Sequence, residues 1–186
     1  MIEVPNWGRE DLPKLCKVLG FTQGAEIGVW RGEFSEMFLK LGIFMFCVDA
    51  WEPYSGYYDF QRKSTLDASY EVAKETLSKY NCKIIKAFSA EAAKQFADEE
   101  LDFVYIDANH TYEGLRDDLQ LWVPKVRKGG MVAGHDFDPL RTHNQIQRAL
   151  FEYVDEHRIT PLFVLGRYEK VEGETRDLTR SWMWIK

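Results

Sequence analysis

The stretch from Ala25 to Ser35, Ala-Glu-Ile-Gly-Val-Trp-Arg-Gly-Glu-Phe-Ser, constrains the fold more than any other part of the chain. Ala25, Glu26 and Ile27 read as the end of an apolar strand, Gly28 and Gly32 punctuate a turn, and the residues after Gly32 open a helix. Glycine lets backbone N–H groups approach a bound group with no Cβ in the way. The helix that follows aims its unsatisfied donors and positive dipole end at the same place. A strand, turn and helix in this order belong to an α/β sheet, at the point where such sheets hold nucleotide-like ligands.

The rest of the pattern extends that unit. Leu12, Leu15, Cys16 and Leu19 recur at helical spacing behind Pro13, and Phe34, Met37, Phe38 and Leu41 form a second apolar stripe ended by Gly42. Ile43 to Val48 is a continuous apolar run, as expected of a parallel strand covered on both faces, and it stops at Asp49. Leu66, Tyr70, Ala73, Leu77 and Tyr80 predict a helix, Lys83 to Lys86 a strand, and Ser89 to Phe96 a short helix. Phe103 to Ile106 reads as a strand ending at Asp107, followed by a helical stripe of Leu115, Leu119, Trp122 and Val123 that Pro124 should end. Gly129 and Gly130 are expected to turn the chain into a strand over Met131 to Ala133, which runs out at Gly134, His135 and Asp136. One more helical stripe, from Ile146 to His157, precedes two strands, Leu162 to Leu165 and Ser181 to Ile185. No helix separates that pair, so it should be antiparallel. The expected architecture is therefore α/β: a doubly wound, mostly parallel seven-stranded sheet with a C-terminal antiparallel hairpin, Rossmann-like in layout.

Size and charge narrow the partners. At 186 residues the chain suits a single domain, able to bury roughly 70% of the surface its unfolded form exposes. The net charge of −6, without a dense Lys/Arg run, argues against nucleic acid. No apolar run approaches the length of a membrane span, and no basic-then-apolar leader opens the sequence, so a cytoplasmic protein is expected. Cys16, Cys47 and Cys82 are odd in number and hold no C-x-x-C pair, which points to free thiols. The aromatic share, 15%, needs a core or a cleft to hold it.

In such sheets ligands sit beyond the carboxyl ends of the strands. This sequence places there Glu26 to Gly32, Asp49, Ser89, Asp107 with His110, and His135 with Asp136. Asp49 stands where a carboxylate accepts both hydroxyls of a ribose, which implies an adenosine-containing ligand such as NAD or S-adenosylmethionine. The turn separates the two. NAD binders use G-x-G-x-x-G to lay the pyrophosphate on the helix N-terminus, whereas here Trp30 takes the middle position and Glu33 puts a negative charge on the first helical turn. A sulfonium cation meets no such objection.

With these residues in place, the chain resembles the class I S-adenosylmethionine-dependent methyltransferases over nearly its whole length. The resemblance is carried by E-x-G-x-x-x-G at Glu26 to Gly32, by Asp49, by Ser89-Ala90 where that family holds the adenine, by Asp107, and by Lys128-Gly129-Gly130 before the fifth strand. It implies S-adenosylmethionine contacts at Glu26, Gly28, Trp30, Gly32, Asp49, Ala50, Trp51, Ser89, Ala90 and Asp107. The segment Tyr105 to Gly114, with Ala133 to Asp136, is similar more specifically to the metal-dependent O-methyltransferases of sugars and other natural products. That likeness implies Asp107 and Asp136, with His135 beside them, as ligands of Mg²⁺ or another divalent cation, and Asp107 and His110 as the catalytic pair with His110 the base. His135 stands where those enzymes often carry an acid.

The implied chemistry suits these residue types. The sulfonium methyl is already activated, so the protein must align a hydroxyl of a small-molecule acceptor and remove its proton. A divalent ion lowers that hydroxyl's pKa, and a histidine titrating near neutrality takes the proton. The aromatic stretch Trp51 to Phe60 is expected to be a loop that either folds over the cleft or packs onto the domain. His143 and His157 are assigned to surface or helix-face roles. An NAD-dependent oxidoreductase and a non-catalytic adenosyl-binding scaffold are the alternatives, and the small size leaves room for a homo-oligomer in which a second copy closes the cleft.

Overall fold

A computed structural model describes residues 1–54, 62–138, 145–167 and 179–186. Its apolar runs form one sheet of eight strands: β1 (Ile2–Val4), β2 (Gln23–Ile27), β3 (Phe44–Asp49), β4 (Lys83–Lys86), β5 (Leu101–Ile106), β6 (Val126–Gly134), β7 (Phe163–Leu165) and β8 (Ser181–Ile185). Their order across the sheet is β1-β7-β8-β6-β5-β2-β3-β4. β2 lies at the centre, parallel to β3 on one side and to β5 on the other, while β8 runs antiparallel between β6 and β7. Sequence order therefore reverses between β2 and β5, and that switch point puts the tips of β2, β3, β5 and β6 around one crevice.

Two expectations need correction. The sheet has eight strands rather than seven, because Ile2–Val4 adds a parallel edge strand against β7. Three residues are too few to show a period, and this strand exists through its tertiary partners: the Ile2 amide donates to the Leu162 carbonyl at 2.8 Å, and the Gly166 amide to that of Val4 at 3.1 Å. The Gly129-Gly130 pair, expected as a turn before a strand, instead lies inside β6, opposite a register irregularity in β5 between Leu101 and Phe103. A Cβ on Gly130 would stand 2.4 Å from the Asp102 carbonyl oxygen, so glycine is what permits this close pairing.

The helices are α1 (Leu12–Val18), α2 (Glu33–Lys40), α3 (Lys63–Leu77), α4 (Ser89–Ala93), α5 (Tyr112–Trp122) and α6 (Gln145–Glu156). They cover the two faces of the sheet. One face packs Ala25, Ile27, Val104 and Ile106 with Leu119 and Trp122 of α5 and Leu150 of α6. The other packs Met45, Cys47, Phe103 and Tyr105 with Cys16 of α1, Phe38 of α2 and Leu77 of α3. The aromatics fill this core, with Trp51, Trp122, Trp182 and Trp184 among its largest buried side chains and Phe38 stacked on Phe103 at 4.8 Å between ring centroids. Each fully buried side chain of this size contributes about 1.5–3 kcal/mol of transfer free energy. Cys16 and Cys47 are buried free thiols and Cys82 is partly exposed. No helix among the described residues is long and apolar enough to cross a membrane. His143 and most of the stretch from Trp51 to Phe60 lie outside the described residues.

Candidate active site

The β2–α2 turn supplies the first wall. Gly28 adopts φ +92° and Gly32, the residue before α2, φ +84°, conformations that a Cβ disfavours. A side chain on Gly28 would also collide with the backbone, since its Cβ would stand 2.1 Å from the Asp107 carbonyl oxygen. The glycines thus close the turn tightly against the end of β5. Glu26 is buried behind the turn, hydrogen-bonded to the Ser35 hydroxyl, which in turn accepts from the Cys47 thiol at 3.2 Å. Burial pushes the Glu26 carboxyl up to about 8, against the pull of that hydroxyl.

Asp49, at the tip of β3, organises the same wall. Its Oδ2 accepts the Val29 and Trp30 amides, each at 2.9 Å, and its Oδ1 the Trp51 amide at 2.7 Å. Trp30 and Trp51 are both left-handed, at φ +53° and +45°, which costs about 1–2 kcal/mol apiece for a residue with a Cβ. The Asp49 carboxylate, together with the Trp51 indole donating to the Trp30 carbonyl at 2.8 Å, holds them there. Burial raises the Asp49 carboxyl despite the three backbone donors.

The second wall stands at the tips of β5 and β6. Sheet hydrogen bonds carry on past both strands, from the Asp107 amide to Ile27 at 2.8 Å and from the His135 amide to Ile106 at 3.1 Å. Thr111 then caps α5 by accepting the Gly114 amide at 3.0 Å, so the loop bearing His110 is anchored immediately beyond it. His110 Nε2 lies 2.7 Å from Asp136 Oδ2 and 3.3 Å from Asp107 Oδ1. Burial opposes its charged form, yet the hydrogen bonds to Asp107 and Asp136 and their charges hold the imidazole up at about 10. His135 Nδ1 is 3.7 Å from both Asp107 Oδ2 and Asp136 Oδ1. Asp136 is itself left-handed, at φ +56°.

A cavity of about 380 Å³ separates the walls, within the size range of small-molecule sites. It is lined by Glu26, Gly28, Trp30 and Asp49 on one side and by Asp107, His110, His135 and Asp136 on the other, residues far apart in sequence that the fold brings together. Gly32, Ala50, Trp51, Ser89 and Ala90 do not line it. Trp51 and Ala50 are buried behind it, and the Ser89 hydroxyl is engaged by Asp118 and by the Trp122 indole N–H at 2.8 Å. Asp118 is buried with its carboxyl pushed up to about 7. The lining also includes Arg9, Phe34, Glu52 and Tyr54, which the sequence reading missed. Arg9 lies remote from every motif, and only the packing of the N-terminal segment reveals it. Tyr54 gave a signal as part of the aromatic stretch, and its ring meets Phe88 edge-on at 5.4 Å.

The donor atoms of Asp107, His110 and Asp136 all lie within 4.8 Å of one another, close enough to share one cation. Two carboxylates with an imidazole suit Mn²⁺ or Fe²⁺ as well as Mg²⁺. In this set His110 is a ligand candidate, alongside the neighbouring His135 expected from sequence.

Comparison with known proteins agrees with this fold. A family model described as a methyltransferase domain matches residues 25–137. Among solved structures, an O-methyltransferase from Bacillus cereus in complex with SAH superposes with a TM-score of 0.67 at 15% identity, covering 96% of this chain and 80% of that one. The O-methyltransferase NovP gives 0.67 at 15% identity, covering 96% and 77%. A spermidine synthase from Thermotoga maritima gives 0.66 at 15% identity, covering 97% and 60%. At these identities the likeness is one of fold. No curated protein sequence matches the chain.

Proposed function

Because this chain belongs to the methyltransferase-domain family, we propose that it transfers a methyl group from S-adenosylmethionine to a hydroxyl of a small molecule, with a divalent cation at Asp107 and Asp136 and His110 as the base. One observation carries the reading. A single cleft joins an adenosine-type wall, Glu26 to Trp30 with Asp49, to a wall where carboxylates and imidazoles converge. Glu33 lines the same cleft from the first turn of α2, where its charge disfavours a pyrophosphate, so the NAD alternative fits less well.

The cofactor's adenosine would lie along the β2 and β3 tips, with Asp49 keeping lone-pair capacity for a ribose hydroxyl after its three backbone donors. Ser89 supports this region rather than contacting the cofactor through its hydroxyl, which already serves Asp118 and Trp122. When bound, a divalent cation supplies Lewis acidity at the acceptor oxygen. The residues of the chain divide the remaining work. Asp107 and Asp136 orient the acceptor side of the cleft; their charges hold His110 protonated, so it would receive the hydroxyl proton at Nε2 only where a bound cation takes up that charge and lets the imidazole become neutral. In the structure that nitrogen is held by both carboxylates, so it cannot serve as base and as ligand together. We assign it the base role, with His135 completing the ligand set.

Calorimetric titration with S-adenosylhomocysteine, NAD⁺ and Mn²⁺ tests this. S-adenosylhomocysteine binding without NAD⁺ binding is expected. For Mn²⁺, His135→Ala should lower affinity by about tenfold or more and His110→Ala much less. The reverse ranking would make His110 the ligand and remove it as base.

A further inference from the structure

We propose that Cys47 and Cys82 are a thiol pair that hydrogen peroxide converts into a disulfide, and that this modification reaches the cleft through Ser35 and Glu26. The pair stands on the fold alone; its effect on cofactor binding rests on the S-adenosylmethionine reading above. Cys47 lies in β3, where it pairs with Ile84 of β4. Cys82 comes two residues before Ile84, just ahead of β4, so the pleat turns all three side chains to one face of the sheet. All three pack in the same core cluster there, with Cys47 fully buried and Cys82 partly exposed. The two thiols hydrogen-bond to each other. The Cys82 thiol also donates to the Leu77 carbonyl at 3.6 Å.

The two sulfurs divide the work. Cys82 is the one that solvent reaches, and the neighbouring Cys47 donor holds its thiol below the ordinary value, which favours the nucleophilic thiolate. Its sulfur attacks a peroxide oxygen: an S–O bond forms, the O–O bond breaks, and a first water leaves. The Cys47 sulfur then attacks that sulfenic sulfur. The S–S bond forms, the S–O bond breaks, and the Cys47 proton leaves with the hydroxide as a second water. Diagonal neighbours in a sheet have Cα atoms about 7–8 Å apart, and a disulfide needs roughly 4.4–6.8 Å. Closure therefore draws Cys82 inward by about 1 Å. β4 can follow because it is the last strand of the sheet. Oxidation removes the S–H that Cys47 donates to the Ser35 hydroxyl at 3.2 Å, and Ser35 in turn donates to Glu26, which lines the cleft. The shift of β4 also bears on the tip of β3, since Asp49 pairs with Lys86 and its carbonyl accepts the Ala87 amide at 3.0 Å. Glu26 and Asp49 belong to one wall of the cleft, so a bond formed away from the cleft alters that wall.

Thiol counting on the whole chain tests the pair, and ligand binding tests the coupling. Wild type, Cys82→Ser, Cys47→Ala and Cys16→Ser are treated with hydrogen peroxide, unfolded, and titrated with dithionitrobenzoate. The wild type is expected to fall from three free thiols to one and to recover three with dithiothreitol, peptide mapping assigning the bond to Cys47 and Cys82. Cys16→Ser should fall from two to none. Cys82→Ser should keep both its thiols under the same exposure, and Cys47→Ala should stop at a dimedone-reactive sulfenic acid on Cys82. A wild type that keeps three thiols, or that pairs Cys16 or two chains instead, overturns the proposal. Calorimetry with S-adenosylhomocysteine should give about 3–10-fold weaker binding to the oxidised wild type, and none of that loss in peroxide-treated Cys82→Ser. Disulfide formation without a change in that affinity overturns the coupling to the cleft. If the reduced wild type itself binds no S-adenosylhomocysteine, the cofactor reading fails and takes the coupling with it, while the thiol counts still decide the pair.

Discussion

The two walls of the cleft are built on different physical terms. On the side of the β2 and β3 tips, Asp49 holds backbone: three amides converge on its carboxylate and fix two left-handed tryptophans. On the side of the β5 and β6 tips, side chains hold one another, with His110 between Asp107 and Asp136. A wall made of backbone hydrogen bonds cannot exchange its partners without unfolding the turn. Side-chain charges can exchange theirs for a cation or a substrate. The first wall is suited to presenting one cofactor in one pose, the second to changing its protonation and ligands during a reaction.

The largest effect expected from breaking this contrast is at Asp49. Asp49→Ala strands three backbone donors and should cost about 3–5 kcal/mol in urea unfolding, with no recovery on adding Mn²⁺. Asp49→Asn, which keeps an acceptor oxygen, should fall between. His110→Ala removes the imidazole 2.7 Å from the buried Asp136 carboxylate and should cost about 3 kcal/mol, but here millimolar Mn²⁺ should restore much of the melting temperature, because the ion takes up charge that the imidazole had compensated. The same variant should slow methyl transfer by about 10²–10⁴-fold with any hydroxyl acceptor the wild type uses. If Mn²⁺ rescued both variants or neither, the distinction between the walls would fail.

A pH series gives a smaller, graded effect. Glu26 and Asp118 have carboxyls raised to about 8 and about 7, so the folded protein binds protons there that the unfolded chain releases near its ordinary values of 4.5 and 3.8. Stability from these two groups is full below about pH 4 and is lost as the pH rises through 7 to 8. His110, raised from 6.5 to about 10, adds loss in the same direction at higher pH. The melting temperature should therefore fall from mildly acidic to alkaline pH, and Glu26→Gln should flatten the part between about 4.5 and 8. A curve unchanged by Glu26→Gln would mean that Glu26 is not held protonated. The smallest effect is expected from Thr111→Ala, about 1 kcal/mol for the lost cap of α5, with a weakening of His110-dependent properties because the cap follows that residue directly.

Much of the site was legible before folding because strand ends concentrate ligand-facing residues, and strands announce themselves by unbroken apolar runs. Ile43 to Val48 and Phe103 to Ile106 located Asp49 and Asp107 for that reason, and helix periodicity with glycine placed the turn at Gly28 to Gly32. What stayed hidden had no local signature. Ile2–Val4 is a strand only because β7 offers an open edge, and the two glycines of β6 look like a turn until the irregular pairing with β5 shows why they are needed. Asp49 reads as a ribose ligand from its position, whereas the structure adds that it is first of all the acceptor for its own wall.

The sequence by itself determined the alternation of strand and helix, hence the sheet's switch point and the set of polar residues gathered there, because periodicity and turn chemistry are local properties of neighbouring residues. The tertiary structure decided how those residues divide their hydrogen bonds. That Ser89 serves Asp118 and Trp122, that His110 bridges two carboxylates, and that Arg9 reaches an acidic cleft from the far N-terminal end all depend on distances between segments that chain order does not encode.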